Sequence, residues 1–227
     1  MYQSLYRKYR PKRFADVVGQ DIVVRTLRNS IKNDKVSHAY MFVGPRGVGK
    51  TSIAKIFARA INCEKKDEGD VCGNCPSCNV SGEKECLDII EIDAASNNGV
   101  DEIRELRDKV NLVPSELKYK IYIIDEVHML TTGAFNALLK TLEEPPEYVT
   151  IILICSNEDN MLSTIKSRCT RIHFENLEIS EVKGYIKQNY PEIEIDDSII
   201  NLSQGSIGKA LKLNENKTLY ENIENIL

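Results

Sequence analysis

The apolar run Ala39-Tyr40-Met41-Phe42-Val43, the turn Gly44-Pro45-Arg46-Gly47-Val48-Gly49-Lys50-Thr51 and the helical pattern from Ser52 to Ala58 follow one another without a gap. A strand, a loop of the form G-x-x-x-x-G-K-[ST] and a helix in this order make a phosphate-binding unit, and such a unit belongs to parallel α/β sheets. Glycines lack a Cβ, so the backbone can curl around an anion with successive N–H groups and the helix N-terminus facing it. In that geometry Lys50 reaches the β- and γ-phosphates and Thr51 holds Mg²⁺, with Ser52 opening the helix beside them. Glycine-rich strand-to-helix turns also occur without a ligand, so the rest of the chain must supply a second half of the site.

That half is Ile121-Tyr122-Ile123-Ile124-Asp125-Glu126. A carboxylate at the end of a buried strand can bind Mg²⁺ directly or through water, and its neighbour can orient or deprotonate an attacking water. Asp125 fits the metal role and Glu126 the catalytic one, and the pair favours ATP over GTP chemistry. The apolar runs at 88–93, 121–124, 150–155 and 170–174 join 39–43 as five expected strands, alternating with helical patterns at 20–33, 100–110 and 131–144. The fold expected is α/β, a five-stranded parallel sheet P-loop NTPase. Ligands of such sheets bind beyond the carboxyl ends of the strands. After Glu175 strand-like runs stop, and 178–190, 196–203, 208–213 and 219–227 read as helices. This divides the chain into a nucleotide-binding domain, 1–175, and a small helical domain, 176–227.

Residues 62–86 interrupt the α/β rhythm with Gly, Asp, Glu, Lys and Cys, and read as an inserted module rather than core. Cys72-Gly73-Asn74-Cys75-Pro76-Ser77-Cys78 holds two C-x-x-C steps, and Cys63 adds a fourth thiol for a tetrahedral Zn²⁺ site. A redox pair or merely reduced thiols are the alternatives, and Cys86 is the spare ligand. Cys155 sits in an apolar run and reads as a small core residue. The total of seven cysteines is odd, which favours metal or free thiols over a disulfide framework. Arg168, in Ser167-Arg168-Cys169, is either an ordinary surface arginine or a finger that reaches the nucleotide of an adjacent subunit. His38, His128 and His173 have no partners at metal-ligand spacing.

A net charge of −4 argues against a uniformly basic nucleic-acid coat, although Arg7, Lys8, Arg10, Lys12 and Arg13 cluster near the N-terminus. No apolar run approaches the roughly 20 residues a membrane span needs, and the N-terminus has no signal-peptide pattern, so a cytoplasmic protein is the default expectation.

Taken together, several motifs resemble the gamma/tau subunits of the bacterial DNA polymerase III clamp loader. They are the stretch from Tyr6 to Phe14, Val18-Gly19-Gln20, His38-Ala39-Tyr40, the loop from Gly44 to Thr51, the four cysteines, Glu91-Ile92-Asp93-Ala94-Ala95-Ser96, the run from Leu138 to Pro146, and Ser167-Arg168-Cys169. The match covers about residues 1–175. It implies an AAA+ ATPase domain with a helical lid, and a zinc module on Cys63, Cys72, Cys75 and Cys78. It places Tyr9, Arg10, Pro11 and Val18 near the adenine and makes Arg168 the finger acting in trans. It further implies ATP, Mg²⁺ and Zn²⁺ as cofactors, with other loader subunits in a hetero-oligomeric ring, a sliding clamp and primer-template DNA as partners, and no membrane. Two positions depart from the family. Cys155-Ser156-Asn157 stands where a polar γ-phosphate sensor is expected, which puts Ser156 in that role with Asn157 the alternative. The lid motif reads Gly205-Ser206-Ile207-Gly208, so the lid arginine is absent and Lys209 comes one residue late. From residue 155 onward the chain looks more like the delta-prime subunit, which generally does not hydrolyse ATP. A scaffold that binds nucleotide and donates Arg168 is therefore the alternative function, and a helicase motor built on Asp125-Glu126-Val127-His128 a third. The sequence stops before the collar domain through which such subunits oligomerise.

Overall fold

The computed structural model describes residues 11–66, 68–82, 86–159 and 161–224. Tyr9 and Arg10, with the basic residues Arg7 and Lys8, lie outside this range.

Five strands form one parallel sheet: β1 (Ala39–Val43), β2 (Ile89–Asp93), β3 (Lys120–Asp125), β4 (Val149–Cys155) and β5 (Thr170–His173). Their order is β2-β3-β4-β1-β5. The helices are α1 (Asp21–Lys32), α2 (Lys50–Asn62), α3 (Pro76–Gly82), α4 (Val100–Val110), α5 (Thr132–Glu143), α6 (Ser163–Lys166), α7 (Ile179–Asn189), α8 (Asp197–Ser203) and α9 (Ile207–Glu224). Every residue of β1 and β4 is buried, as expected when helices cover both faces of a parallel sheet.

Alternation along the strands sorts their side chains into two cores. Tyr40, Phe42, Ile121, Ile123, Ile152 and Ile154 pack with Leu27 and Ile31 of α1 and with Phe57 and Ile61 of α2. Met41, Val43, Tyr122, Ile124, Ile151 and Leu153 face the other way, against Ile103 and Leu106 of α4 and Leu138 and Leu142 of α5. The period of two that puts i and i+2 on one face thus builds both layers of the domain. A third cluster, Val182, Ile186, Tyr190, Ile200, Ala210 and Leu211, joins α7, α8 and α9.

Three sequence expectations change. The stretches 208–213 and 219–227 are not separate helices but parts of α9, which runs unbroken from Ile207 to Glu224. No Pro or Gly lies between Leu213 and Leu219, and Asn is only mildly unfavourable within a helix. The 62–86 module is not detached from the core either. Val71, Cys63, Cys75 and Cys78 are buried in the first cluster, and Pro76 opens the short helix α3, where its fixed φ is pre-organised. Asp88, expected to start a strand, instead lies buried before β2 and accepts the N–H groups of Ser115, Glu116 and Leu117.

Candidate functional site: a phosphate loop and a cysteine cluster

At the carboxyl end of β1 the chain turns away through Gly44. A Cβ there would lie 2.4 Å from the Phe174 carbonyl oxygen, and φ is +152°, so only glycine lets β1 leave the sheet beside β5. The loop then feeds α2, whose first residue, Lys50, is 8% exposed. Its Nζ donates to the carbonyls of Gly44 (2.5 Å) and Pro45 (2.6 Å). Burial lowers the Lys50 pKa, opposed by the nearby carboxylates of Glu126 and Asp125. An ammonium stripped of water and surrounded by backbone gains most from a polyanionic ligand.

The sheet order brings the second half of the site alongside. β3 ends at Asp125, whose Oδ2 accepts a 2.6 Å hydrogen bond from Thr51 Oγ1 and whose Oδ1 accepts the Glu126 N–H (2.9 Å). Glu126 has left-handed backbone (φ +49°). Its Oε1 accepts a 2.8 Å bond from Arg46 Nε, and its Oε2 lies 3.5 Å from His128 Nδ1. Arg46 belongs to the phosphate-loop motif, but its pairing with Glu126, 80 residues away, has no signal in the sequence.

A cavity of about 660 Å³ opens over these groups. One wall is the loop from Arg46 to Ile53, including Gly47, Val48, Gly49, Thr51 and Ser52, with Asp125 and Glu126 beneath it. A second is Pro11, Asp16, Val17 and Val18, which brings in two of the four residues expected near the adenine. The third comes from the helical part: Leu177, Tyr185, Tyr190, and Ser206 to Lys209 with Lys212. Of this wall, only the lid motif and Lys209 carry a signal in the sequence.

Other expected site residues lie apart from the cavity. Ser156 is half-buried directly after β4 and does not line it. Asn157 is tied into its own turn, donating to Asp159 Oδ2 (2.9 Å) and accepting the Asp159 N–H (3.0 Å). Arg168 donates to the Thr164 carbonyl and to Glu143 Oε1, both at 2.8 Å, and so faces away from the phosphate loop of its own chain.

The sulfurs of Cys63, Cys72, Cys75 and Cys78 all lie within 4.8 Å of one another. The Sγ atoms of Cys72 and Cys78 are 3.8 Å apart. Four sulfurs at about 2.3 Å from one Zn²⁺ stand roughly 3.8 Å from each other, so the donor set fits tetrahedral zinc in kind and spacing. The Cys78 N–H donates to Cys75 Sγ, the kind of outer contact that stabilises thiolate. Hydrogen bonding from the Asn74 N–H, above all, brings the Cys72 pKa down to about 6, while burial pushes Cys78 up to about 12. Cys86, the spare candidate, is not part of the cluster. Cys155 is buried in the second core, where desolvation raises its thiol to about 11, as suits an inert core residue.

Among the described residues, no helix is long and apolar enough to cross a membrane. The fold is shared with the Holliday junction branch migration motor RuvB of Thermotoga maritima, at a TM-score of 0.64 and 19% identity, over 91% of this chain and 64% of that one. A DNA polymerase III gamma subunit-related protein of the same organism aligns at a TM-score of 0.54 and 25% identity, over 84% of this chain and 57% of that one. The architecture is thus that of AAA+ P-loop proteins. In sequence the chain is 49% identical to DNA polymerase III subunit tau of Bacillus subtilis over 93% of its length, and 42% identical to subunit tau of Escherichia coli over 94%. It spans 39% and 34% of those two relatives. The family model for "DNA polymerase III, delta subunit" matches residues 19–178, from the turn before α1 to the start of the helical part. Most of the sequence is covered in this way, and the chain belongs to the DNA polymerase III delta-subunit family, with the likeness to tau and gamma subunits running almost end to end.

Proposed function

We propose that the chain is an ATP-driven clamp-loader subunit, in which ATP binding organises a ring of such domains and primer-template DNA triggers hydrolysis after a sliding clamp has been opened. The observation that carries this reading is the convergence of Lys50, Thr51, Asp125 and Glu126 on one cavity, from segments far apart in sequence. In the reaction, water attacks the γ-phosphorus as the bond to the β,γ-bridging oxygen breaks, releasing ADP and phosphate. Glu126 orients the water and takes its proton. Lys50, with Arg168 of a neighbouring subunit, balances charge on the transferred group. Thr51 Oγ1 and Asp125 Oδ2 are the atoms that would hold Mg²⁺, which would supply positive charge against the phosphate oxygens. The division near residue 176 makes α7, α8 and α9 a lid over the nucleotide, and zinc on the four cysteines has a structural part. Ser156 is retained as the γ-phosphate sensor only if the loop after β4 moves on binding. A cytoplasmic place in the replication machinery follows from the same reading.

A second reading is a non-hydrolysing scaffold that binds nucleotide and donates Arg168. Two observations favour it: Glu126 is tied to Arg46, and Gly208 stands on the lid wall without a side chain. ATP turnover measured with and without clamp, partner subunits and primed DNA separates the two. The motor predicts turnover that rises in the full assembly and is lost on Glu126→Gln. Turnover that stays absent in the assembly sinks the motor and leaves the scaffold, and turnover that Glu126→Gln leaves unchanged overturns the role given to Glu126.

A further inference from the structure

Directly after β5 the chain passes from the sheet to the helical part through Phe174, Glu175, Asn176 and Leu177. Phe174 still belongs to the sheet side: its N–H donates to the Val43 carbonyl (2.7 Å), and its side chain is buried in the first core. Leu177 belongs to the other side, packing against the third cluster, and it also lines the cavity. Between them the backbone of Glu175 is held by a side chain from the turn before α1. Gln20 Nε2 donates to the Glu175 carbonyl (2.6 Å), and Gln20 Oε1 accepts the Glu175 N–H (3.4 Å). One carboxamide thus engages both backbone groups of a residue 155 positions away.

Gln20 holds this contact from left-handed backbone, with φ at +80°. A glutamine adopts that region rarely, and a glycine would make the same turn with less strain. Its carbonyl accepts the Val24 N–H (2.9 Å) at the start of α1, a bond that any residue could make. A strained backbone under a residue other than glycine points to a task for the side chain. The surroundings leave the junction little room. A Cβ on Gly19 would run into Leu177 Cδ2, and one on Gly205 would lie 2.6 Å from both the Leu177 nitrogen and its carbonyl oxygen. The turn that follows Val17 and Val18 thus presses on the junction from one side, and the turn before α9 from the other.

We propose that Gln20 is a positioning residue for the cavity: by pinning Glu175 it sets Leu177 against the wall of Val17 and Val18, and so couples a nucleotide held along that wall to the orientation of the helical part. The inference rests on reading the cavity as a nucleotide site. It gives a role to a side chain that does not itself line the cavity. Val17, Val18 and Leu177 are apolar and offer nothing to a phosphoryl group, so the coupling serves triphosphate and diphosphate alike.

The test compares the full wild-type chain with Gln20→Gly, which keeps the left-handed turn and removes the carboxamide, and with Gln20→Glu, which sets a carboxylate against the Glu175 carbonyl. Each is titrated with a fluorescent non-hydrolysable ATP analogue and with the matching ADP, both with Mg²⁺. Hydrogen–deuterium exchange of the 174–182 amides is followed with and without nucleotide. Loss of one net hydrogen bond is expected to weaken binding of both nucleotides by about fivefold in Gln20→Gly, and by at least as much in Gln20→Glu. In the wild type, nucleotide slows exchange across the junction. In both variants the junction exchanges faster and no longer responds to nucleotide. A lowered melting temperature with wild-type affinity and wild-type exchange response would make the contact structural only and overturn the proposal. Weakening confined to the triphosphate, or weakened binding with unaltered junction exchange, overturns it as well while leaving the nucleotide site in place. Failure of the wild type to bind either nucleotide overturns the site itself and the coupling with it.

Discussion

Asp70 joins the cysteine module to the nucleotide cavity, and its removal has a cost that can be worked from the contacts. The side chain is 6% exposed. Its Oδ1 accepts the N–H groups of Phe14 (2.9 Å) and Val71 (2.7 Å), and its Oδ2 accepts that of Ala15 (3.1 Å). Phe14 is anchored in the first core, and the next turns of chain, Asp16, Val17 and Val18, line the cavity. Asp70→Ala strands three donors at about 1 kcal/mol each, a loss of about 3 kcal/mol. Asp70→Asn can keep its carbonyl at the Oδ1 position and retain two of the three bonds. It turns an NH₂ group toward the Ala15 N–H, for a loss of about 1 kcal/mol. At roughly 2–4 °C per kcal/mol for a chain of this size, melting falls by about 6–12 °C for Ala and about 2–4 °C for Asn. Circular dichroism melts in zinc-containing buffer measure both, and nucleotide titration should show weaker binding in the same rank order as the wall from 11 to 18 loosens. An Ala variant losing under about 1 kcal/mol, or an Asn variant as damaged as Ala, refutes this role for the carboxylate.

Metal analysis of protein purified without chelators should find about one Zn²⁺ per chain, retained in Cys86→Ser and lost in Cys75→Ser. Zinc found at full occupancy in both variants would show that the four-sulfur cluster is not the site. The ligands are thiolates, so proton competition releases the metal as pH falls. A metal-sensitive dye followed during acid titration reads this out, and retention that improves on acidification contradicts it. Arg168→Ala removes an exposed ion pair with Glu143 and should change stability by less than about 1 kcal/mol. The same variant should bind nucleotide normally as an isolated chain and lose turnover only when assembled with neighbours. A binding defect in isolation would place the arginine in its own chain's site.

What the sequence shows well is whatever depends on neighbours along the chain. The step from β1 through Gly44 into α2 is contiguous, so loop and helix are legible together, and Asp125-Glu126 announces itself by ending an apolar run. The four cysteines are close enough in sequence to suggest one site, but excluding Cys86 needs the actual positions of the sulfurs. Contacts set by tertiary placement left no trace. Thr51 meets Asp125 only because β4 alone separates β1 from β3. The pairing of Arg46 with Glu126 depends on a left-handed residue after β3, where a glutamate gives no local warning of that conformation. Asp70 falls in the polar 62–86 module and Asp88 at the start of an expected strand, yet each is buried because it gathers backbone N–H groups of a distant turn. Lys212 lies within the helix expected over 208–213, but its place on the cavity wall depends on how that helix packs against the phosphate loop, which helical spacing alone does not show.

The central claim is that the Gly44 to Thr51 loop binds nucleoside triphosphate through Lys50. Isothermal titration of the full chain with an ATP analogue and Mg²⁺, set beside Lys50→Ala, tests it most directly. The account predicts about one nucleotide per chain for the wild type and at least about a tenfold loss of affinity in the variant, since a buried charge-assisted contact disappears. No binding by the wild type, or equal binding by Lys50→Ala, would contradict it.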